Sequence, residues 1–245
     1  VFVGDGCLME GISHEVCSLA GTFKLGKLIV FYDDNGISID GEVKDWFTDN
    51  TAMRFLAYGW HVIDNIDGHN ATQIRVAIES ARDDLRPSIL ICKTKIGLGS
   101  HVENNAAAHG SPLGADGVAK TRDFFNWHYP AFEIPQTVLE MWSHREQGKK
   151  EEAEWLKKCD DYRKQYPEEY VEFLRRINGD LPNDWPLLAN GFLAECLTHE
   201  KDIATRQASQ KCIEFWGRHC FELLGGSADL TCSNLTNFSG SKLIT

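Results

Sequence analysis

Short apolar runs alternate with amphipathic segments along the first hundred residues. The runs that predict strands are residues 1–3, 28–32, 60–63 and 88–93. The segments in which apolar side chains recur near the helical period, and which predict helices, are 7–25, 49–57 and 70–84. Because strands and helices alternate, the pattern predicts an α/β fold with a doubly wound parallel sheet.

The chain becomes less regular after this region. Residues 95–118 are rich in Gly, Asn and Ala and show no period, so we predict a long functional loop. Residues 136–178 are highly charged and mostly helical. The segment Asn178-Gly179-Asp180-Leu181-Pro182 breaks that pattern.

We place a domain boundary at this break. The prediction is a first domain at residues 1–178, with a linker and the start of a second domain at 179–245. In the second domain we predict a helix at about 203–219 and a strand at 221–224.

Composition narrows the range of functions. Hydrophobic residues make up 42% of the 245 residues, which suffices for a sizeable core. Lysine and arginine total 25 against 36 acids, a net charge of −11, which argues against a nucleic-acid partner. The sequence contains no apolar run of about 20 residues, so we expect no membrane span.

The eight cysteines form no C-x-x-C pair. We interpret them as free thiols in a reducing compartment and expect a cytoplasmic protein. The chain starts with a valine inside a predicted strand, so a plastid or another organelle stays open as an alternative.

Candidate chemistry lies where the first two strands end. The turn Gly4-Asp5-Gly6 follows the first strand, and Asn35-Gly36-Ile37 follows the second. Parallel strands present their carboxyl ends at one edge, where open α/β sheets bind ligands. The Asp5 carboxylate, the Asn35 side chain and the Ile37 carbonyl would supply the oxygen ligands that Mg²⁺ prefers. Gly4 and Gly6 would let the backbone approach a diphosphate closely.

Each motif alone is only a turn signal. Their pairing across one helix changes the interpretation, and the surrounding block, GDGCLMEGISHEVCSLAGTFKLGKLIVFYDDNGISIDG, resembles the thiamine diphosphate signature of the transketolases. Later segments that match this family in order and spacing are DWFTDNTAMRFLAYGWHV, IDGHN, CKTKIGLGS, HGSPLG, TRQASQ and GGSADLTCSNLT. The resemblance covers essentially the whole chain.

The resemblance implies a thiamine diphosphate-binding fold and a reaction. It also implies that the second domain, which starts at residue 179, is an α/β domain and is truncated here. Transketolases transfer a two-carbon ketol unit from a ketose phosphate, such as xylulose 5-phosphate, to an aldose phosphate, such as ribose 5-phosphate or erythrose 4-phosphate. The implied cofactors are thiamine diphosphate and Mg²⁺, with Ca²⁺ or Mn²⁺ able to substitute. The implied assembly is a homodimer with the thiamine site between subunits.

The resemblance also implies roles for individual residues of the first domain. Asp5, Asn35 and the Ile37 carbonyl would hold the metal, and Gly6 would contact the diphosphate. Glu10 matches an acid near the dimer interface that links the two thiamine sites. His109 matches a catalytic histidine that reaches the diphosphate, the substrate and the reacting centre.

Three residues of the second domain match family positions as well. Arg206 and Ser233 match residues that bind the sugar phosphate, a role that suits the planar guanidinium of arginine. Asp229 matches an aspartate that approaches the cofactor from the neighbouring subunit.

The sequence departs from complete transketolases at both ends. The family's catalytic glutamate would lie beyond Thr245, and its upstream substrate-binding histidines would precede Val1. We therefore expect an internal fragment that is inactive alone. The alternatives are a relative of dihydroxyacetone synthase that uses formaldehyde as acceptor, a non-catalytic split subunit, and an α/β domain with an unrelated nucleotide ligand. The lack of a Gly-rich dinucleotide fingerprint weighs against the last of these.

Overall fold

A computed structural model describes residues 1–198 and 202–244. The chain divides into two compact units, Val1–Pro135 and Gln136–Thr245. The predicted boundary at residue 178 lies inside the second unit. That boundary separates two predicted family domains, whereas the compact units are defined by contacts within this structure. The boundary at residue 178 therefore stays a prediction.

A four-stranded parallel sheet forms the centre of the first unit. The strands of the chain are β1 (Phe2–Gly4), β2 (Ile29–Asp34), β3 (Ile37–Ser38), β4 (Gly41–Glu42), β5 (His61–Asp67) and β6 (Ser88–Lys93). The sheet order is β1-β2-β6-β5, while β3 and β4 form a separate antiparallel hairpin. All four predicted strands are confirmed, and their carboxyl ends meet at one edge because every pairing in the sheet is parallel.

The helices of the first unit are α1 (Asp5–Met9), α2 (Gly11–Thr22), α3 (Thr51–Ala57), α4 (Ala71–Asp83) and α5 (Gly114–Phe124). The single helix predicted at 7–25 is therefore two helices, because Glu10 adopts an extended backbone with φ −64° and ψ 131°. Helix α3 is capped by the side chain of Asn50, which accepts from the Met53 amide, rather than by Asp49.

Both faces of the sheet are covered, which confirms the doubly wound architecture. On one face Val30, Tyr32 and Ile89 pack with Ala20 of α2 and Phe55 of α3. On the other face, buried residues from the sheet and from α4 form a second cluster; these are Ile66, Ala77, Ala81, Leu90 and Cys92. The two clusters fix the strand ends that carry the candidate site.

The end of α2 packs tightly against Tyr58 at the end of α3. A Cβ atom built on Gly21 would lie 1.8 Å from the carbonyl oxygen of Tyr58. Since that neighbour is backbone and cannot move aside, only glycine fits at this crossing.

Helices are the regular secondary structure of the second unit among its described residues, and turns and irregular chain connect them. Its helices are α6 (Gln136–Trp142), α7 (Arg145–Gln165), α8 (Pro167–Asn178), α9 (Trp185–Leu197), α10 (Thr205–His219) and α11 (Thr231–Asn234). The predicted break after residue 178 is confirmed, because Gly179 ends α8 with a left-handed backbone at φ +76°. The strand predicted at 221–224 is wrong, since these residues form a turn and irregular chain with exposed side chains. None of the helices described in either unit is long and apolar enough to cross a membrane.

Candidate functional site

The candidate site lies where β1 passes directly into α1. Strand β1 ends at Gly4, and Asp5 is the first residue of α1. In the sheet, Val3 is paired with Tyr32 and Gly4 with Asp33. This register brings the Asp5 turn beside the end of β2, as the sequence predicted.

Asp5 is a buried carboxylate with one free oxygen. Its side chain is 4% exposed, and the Tyr32 hydroxyl donates a hydrogen bond to Oδ1. The other oxygen, Oδ2, is buried and has no hydrogen-bond partner in the described part of the chain. A buried carboxylate oxygen without a partner is costly, which indicates that a ligand completes the site.

Burial dominates the electrostatics of this pair. It raises the pKa of Asp5, with further increases from the nearby Asp34 and Asp33 carboxylates. The hydrogen bond from Tyr32 and the Gly36 amide oppose that shift in the pKa of Asp5. Burial, followed by the bond to Asp5, raises the pKa of Tyr32 far above its usual value. The tyrosine therefore stays a neutral donor, and a cation would relieve the cost of the charge on Asp5.

The second predicted motif forms a tight turn around Gly36. The Asn35 side chain oxygen accepts from the Ile37 amide at 2.9 Å, and Gly36 has a left-handed backbone with φ +71°. Helix α1 contacts β3, which begins at Ile37. The structure thus brings Asn35 and Ile37 to the Asp5 turn.

His109 reaches the same place from the loop predicted at 95–118. It ends a short 3₁₀ helix, Ala106–His109, whose start is capped by the Asn105 side chain. Its Nε2 donates to the Ile37 carbonyl oxygen at 3.0 Å. The imidazole is therefore anchored to one of the proposed metal ligands.

These donors fit a hard divalent cation. They comprise one carboxylate, one amide oxygen and one backbone carbonyl, all of the oxygen type that Mg²⁺ prefers. The described residues contain no group of three His, Cys, Asp or Glu side chains placed to hold a metal, so a site here depends on this mixed set. A Cβ on Gly4 or Gly6 would meet nothing within 4 Å, which leaves the backbone of the turn open to a diphosphate.

Sequence reasoning missed two residues that support the turn. Arg54 of α3 is mostly buried, and its Nη1 donates to the Leu8 carbonyl at 3.2 Å and to Asp49 at 3.1 Å. Tyr32 was interpreted only as part of an apolar strand. The signal that could have identified it is a hydroxyl placed immediately before two acids in a buried strand.

The remaining predicted residues lie in other places. Glu10 is exposed at the junction of α1 and α2. In the second unit, exposed Arg206 lies in the first turn of α10, exposed Ser233 lies in α11, and Asp229 precedes α11 with φ +60°.

The chain matches one protein family, both by its family model and by its curated relatives. Residues 1–182 match the family model described as transketolase, thiamine diphosphate binding domain. The chain is 54% identical over 243 residues to Transketolase 1 of Vibrio vulnificus YJ016, covering 99% of this chain and 37% of that protein. It is 55% identical over 247 residues to Transketolase 1 of Escherichia coli K12, with the same coverage of 99% and 37%. The chain therefore spans 37% of the length of these curated relatives.

Solved structures agree with the sequence comparison. A transketolase from Pichia stipitis in complex with sedoheptulose 7-phosphate superposes with a TM-score of 0.83 at 36% identity, covering 98% of this chain and 36% of that one. A transketolase from Leishmania mexicana gives a TM-score of 0.81 at 34% identity, covering 97% and 35%.

Proposed function

This chain belongs to the transketolase family, and we propose that it takes part in transfer of a two-carbon ketol unit from a ketose phosphate to an aldose phosphate. The observation that carries the proposal is the buried Oδ2 of Asp5, which has no hydrogen-bond partner among the described residues and lies beside the Asn35–Ile37 turn. Solved Pichia stipitis transketolases contain xylulose 5-phosphate, fructose 6-phosphate or sedoheptulose 7-phosphate. We propose the same class of sugar phosphate for this protein.

Each residue of the site has a defined task in this proposal. Asp5, the Asn35 amide oxygen and the Ile37 carbonyl would hold Mg²⁺, and the open backbone at Gly6 would accept the diphosphate. Thiamine diphosphate supplies the electron sink for breaking the carbon–carbon bond next to the ketose carbonyl. His109 donates from Nε2 to the Ile37 carbonyl, which leaves Nδ1 as a hydrogen-bond acceptor for the substrate.

The residues of the second unit have binding tasks. We propose that Arg206 and Ser233 bind the sugar phosphate, for which a guanidinium and a hydroxyl are suitable donors. We propose that Asp229 contacts the cofactor of a neighbouring subunit. The exposure of all three side chains leaves them accessible for these contacts.

A homodimer is part of the proposal, and α2 supports it. Ile12, Val16 and Leu19 recur at helical spacing and are 65%, 51% and 51% exposed, which forms an apolar stripe available to a second copy.

We expect Val16→Lys to weaken association at least tenfold in sedimentation velocity, because it places a charge in that stripe. Val76→Lys changes a valine of α4 that is 59% exposed and serves as the matched control. Equal behaviour of the two variants would exclude α2 as the interface.

A chimera tests the proposed reaction. The chain would replace the matching stretch of Transketolase 1 from Escherichia coli, to which it is 55% identical. We expect the chimera to form sedoheptulose 7-phosphate from xylulose 5-phosphate and ribose 5-phosphate, in an assay coupled to release of the three-carbon aldose phosphate. A preference for formaldehyde as acceptor would favour the dihydroxyacetone synthase alternative. A folded chimera that binds cofactor without transfer would favour a non-catalytic subunit.

A further inference from the structure

Helix α1 depends on neighbouring elements to hold its position. It has five residues, and a helix this short is not stable alone because nucleation costs more than one turn returns. The Leu8 side chain anchors it in the core at 2% exposure. The backbone is held as well: the Ser13 hydroxyl donates to the Cys7 carbonyl, and Nη1 of Arg54 donates to the Leu8 carbonyl at 3.2 Å. The position of the turn that carries Asp5 therefore depends on α2 and α3.

Arg54 connects three parts of the first unit through one nitrogen atom. Its side chain is 10% exposed. Besides the Leu8 carbonyl, Nη1 donates to Oδ2 of Asp49 at 3.1 Å and lies 3.3 Å from Nε2 of His14. The guanidinium thus joins the end of α1 to α2 and to the segment that precedes α3.

This arrangement is costly for the fold. Nε and Nη2 of Arg54 are buried and have no hydrogen-bond partner among the described residues. The carboxylate of Asp49 and the Phe55 ring, whose centre lies 5.4 Å from Cζ of Arg54, offset part of that cost. A buried cation with unfilled donors lowers stability. Costs of this kind are typical of residues that keep a functional site in place.

We infer that Arg54 is a positioning residue for the cofactor turn. By holding the Leu8 carbonyl, it keeps α1 in the orientation that presents Asp5 and the open backbone of Gly6 to metal and diphosphate. This inference rests on the proposed cofactor site, and Arg54 contacts neither the substrate nor the cofactor in it. A turn that keeps the binding conformation for about a tenth of the time would bind about tenfold more weakly.

The test compares Arg54→Met with the unaltered chain by calorimetric titration of thiamine diphosphate in excess Mg²⁺. Methionine keeps an unbranched apolar stem and removes the guanidinium. We expect the dissociation constant to rise about tenfold. Hydrogen exchange without cofactor is the second readout. We expect the amides of α1 to exchange about tenfold faster in the variant and those of β6 to change less, because the opening is local.

A conservative variant and two controls accompany this test. In Arg54→Lys the ammonium can donate to the Leu8 carbonyl but lacks the planar fork, so we expect its dissociation constant to lie between the other two. Arg82→Met makes the same substitution at an exposed arginine of α4 and should bind as the unaltered chain does. Leu90→Ala destabilises the core cluster on the other face of the sheet, and its folded form should keep the cofactor affinity.

The possible failures are distinguishable. If the unaltered chain binds thiamine diphosphate and both Arg54 variants bind it equally well, the positioning role is wrong and the cofactor site stands. The same holds if Leu90→Ala weakens binding as much as Arg54→Met does. If Arg54→Met does not fold, Arg54→Lys decides, and unchanged affinity with unchanged exchange in α1 would overturn the role. If the unaltered chain does not bind thiamine diphosphate with Mg²⁺, the proposed site itself is wrong, and the inference falls with it.

Discussion

Replacing Asp5 with asparagine is expected to abolish magnesium-dependent binding of thiamine diphosphate. Asp5 supplies the one carboxylate of the proposed ligand set, and its free oxygen is buried at the turn. An amide in its place would remove the negative charge that attracts the cation, and it would leave a buried NH₂ group facing the metal. We expect a loss of more than about 100-fold in Mg²⁺ affinity, above the range seen when only an outer partner of a ligand is removed. Calorimetric titration with thiamine diphosphate, with and without Mg²⁺, measures it.

Asp40→Asn provides the matched control for this experiment. Asp40 lies in the exposed turn between β3 and β4. The substitution removes the same charge as Asp5→Asn, at a position close to the site in sequence. We expect the control to bind as the unaltered chain does, because exposed charges at a distance are screened. Retention of Mg²⁺-dependent binding by Asp5→Asn would remove Asp5 from the site.

The same carboxylate makes metal binding depend on pH. Burial raises the pKa of Asp5 above the ordinary value of 3.8, so protons compete with the metal at a higher pH than at an exposed aspartate. In the metal-free protein the folded state binds this proton more tightly than the unfolded state does. The carboxyl group therefore favours folding below its unfolded pKa, and this contribution is lost as pH rises through the folded pKa. Stabilisation by Mg²⁺ should accordingly increase over that pH range, and it should not do so in Asp5→Asn.

Much of the first unit was predictable because the central strands of its sheet, β2 and β6, are largely buried. Residues 88–93, which contain the apolar run Ile89-Leu90-Ile91-Cys92, were predicted as a buried strand, and β6 occupies Ser88–Lys93. A run of this kind leaves few alternatives in so short a segment. The junction at Glu10 was not predictable, since apolar residues continue at helical spacing across it and only its extended backbone divides the helix.

The second unit was harder to predict because its side chains are less buried. Helix α9, Trp185–Leu197, is apolar around much of its circumference and shows no clear amphipathic period, so it was missed. The segment 221–224 is apolar at three of its four positions and resembled a strand. A strand requires a neighbour for its backbone groups, and the described residues of this unit form helices, turns and irregular chain.

One part of the candidate site was predictable from the sequence and another part was not. The turn at Asp5 and the Asn35–Ile37 turn were brought together by parallel pairing of β1 and β2, which sequence order predicts. The hydrogen bond from Tyr32 to Asp5 depends on which face of β2 the ring occupies. In a strand buried on both faces the apolar pattern does not distinguish the faces. The sequence alone therefore could not predict this contact.

Replacing Trp60 with alanine is expected to cause the largest loss of stability in the first unit. Trp60 is 1% exposed, packs edge-to-face on Phe55 with ring centroids 4.9 Å apart, and donates from Nε1 to the Cys17 carbonyl at 2.8 Å. The substitution would leave a large cavity and remove the indole hydrogen bond to the Cys17 carbonyl. We expect the free energy of unfolding to fall by about 3–5 kcal/mol. Since domains are commonly stable by about 5–15 kcal/mol, this is a large fraction of the total.

The loss at Trp60 should also reach the metal site, because the same core cluster contains Leu8 of α1 and Tyr32 of β2. Urea denaturation measures the loss of stability, with hydrogen exchange at the amides of β2 and β6 as the readout. Because these strands belong to the first unit, the readout distinguishes its unfolding from that of the second unit. Trp46→Ala removes a tryptophan that is 53% exposed, and we expect it to cost less than about 1 kcal/mol. Similar losses for the two tryptophans would show that Trp60 does not hold the core. A large loss of stability with unchanged Mg²⁺ affinity in the folded variant would show that this core and the Asp5 turn are independent.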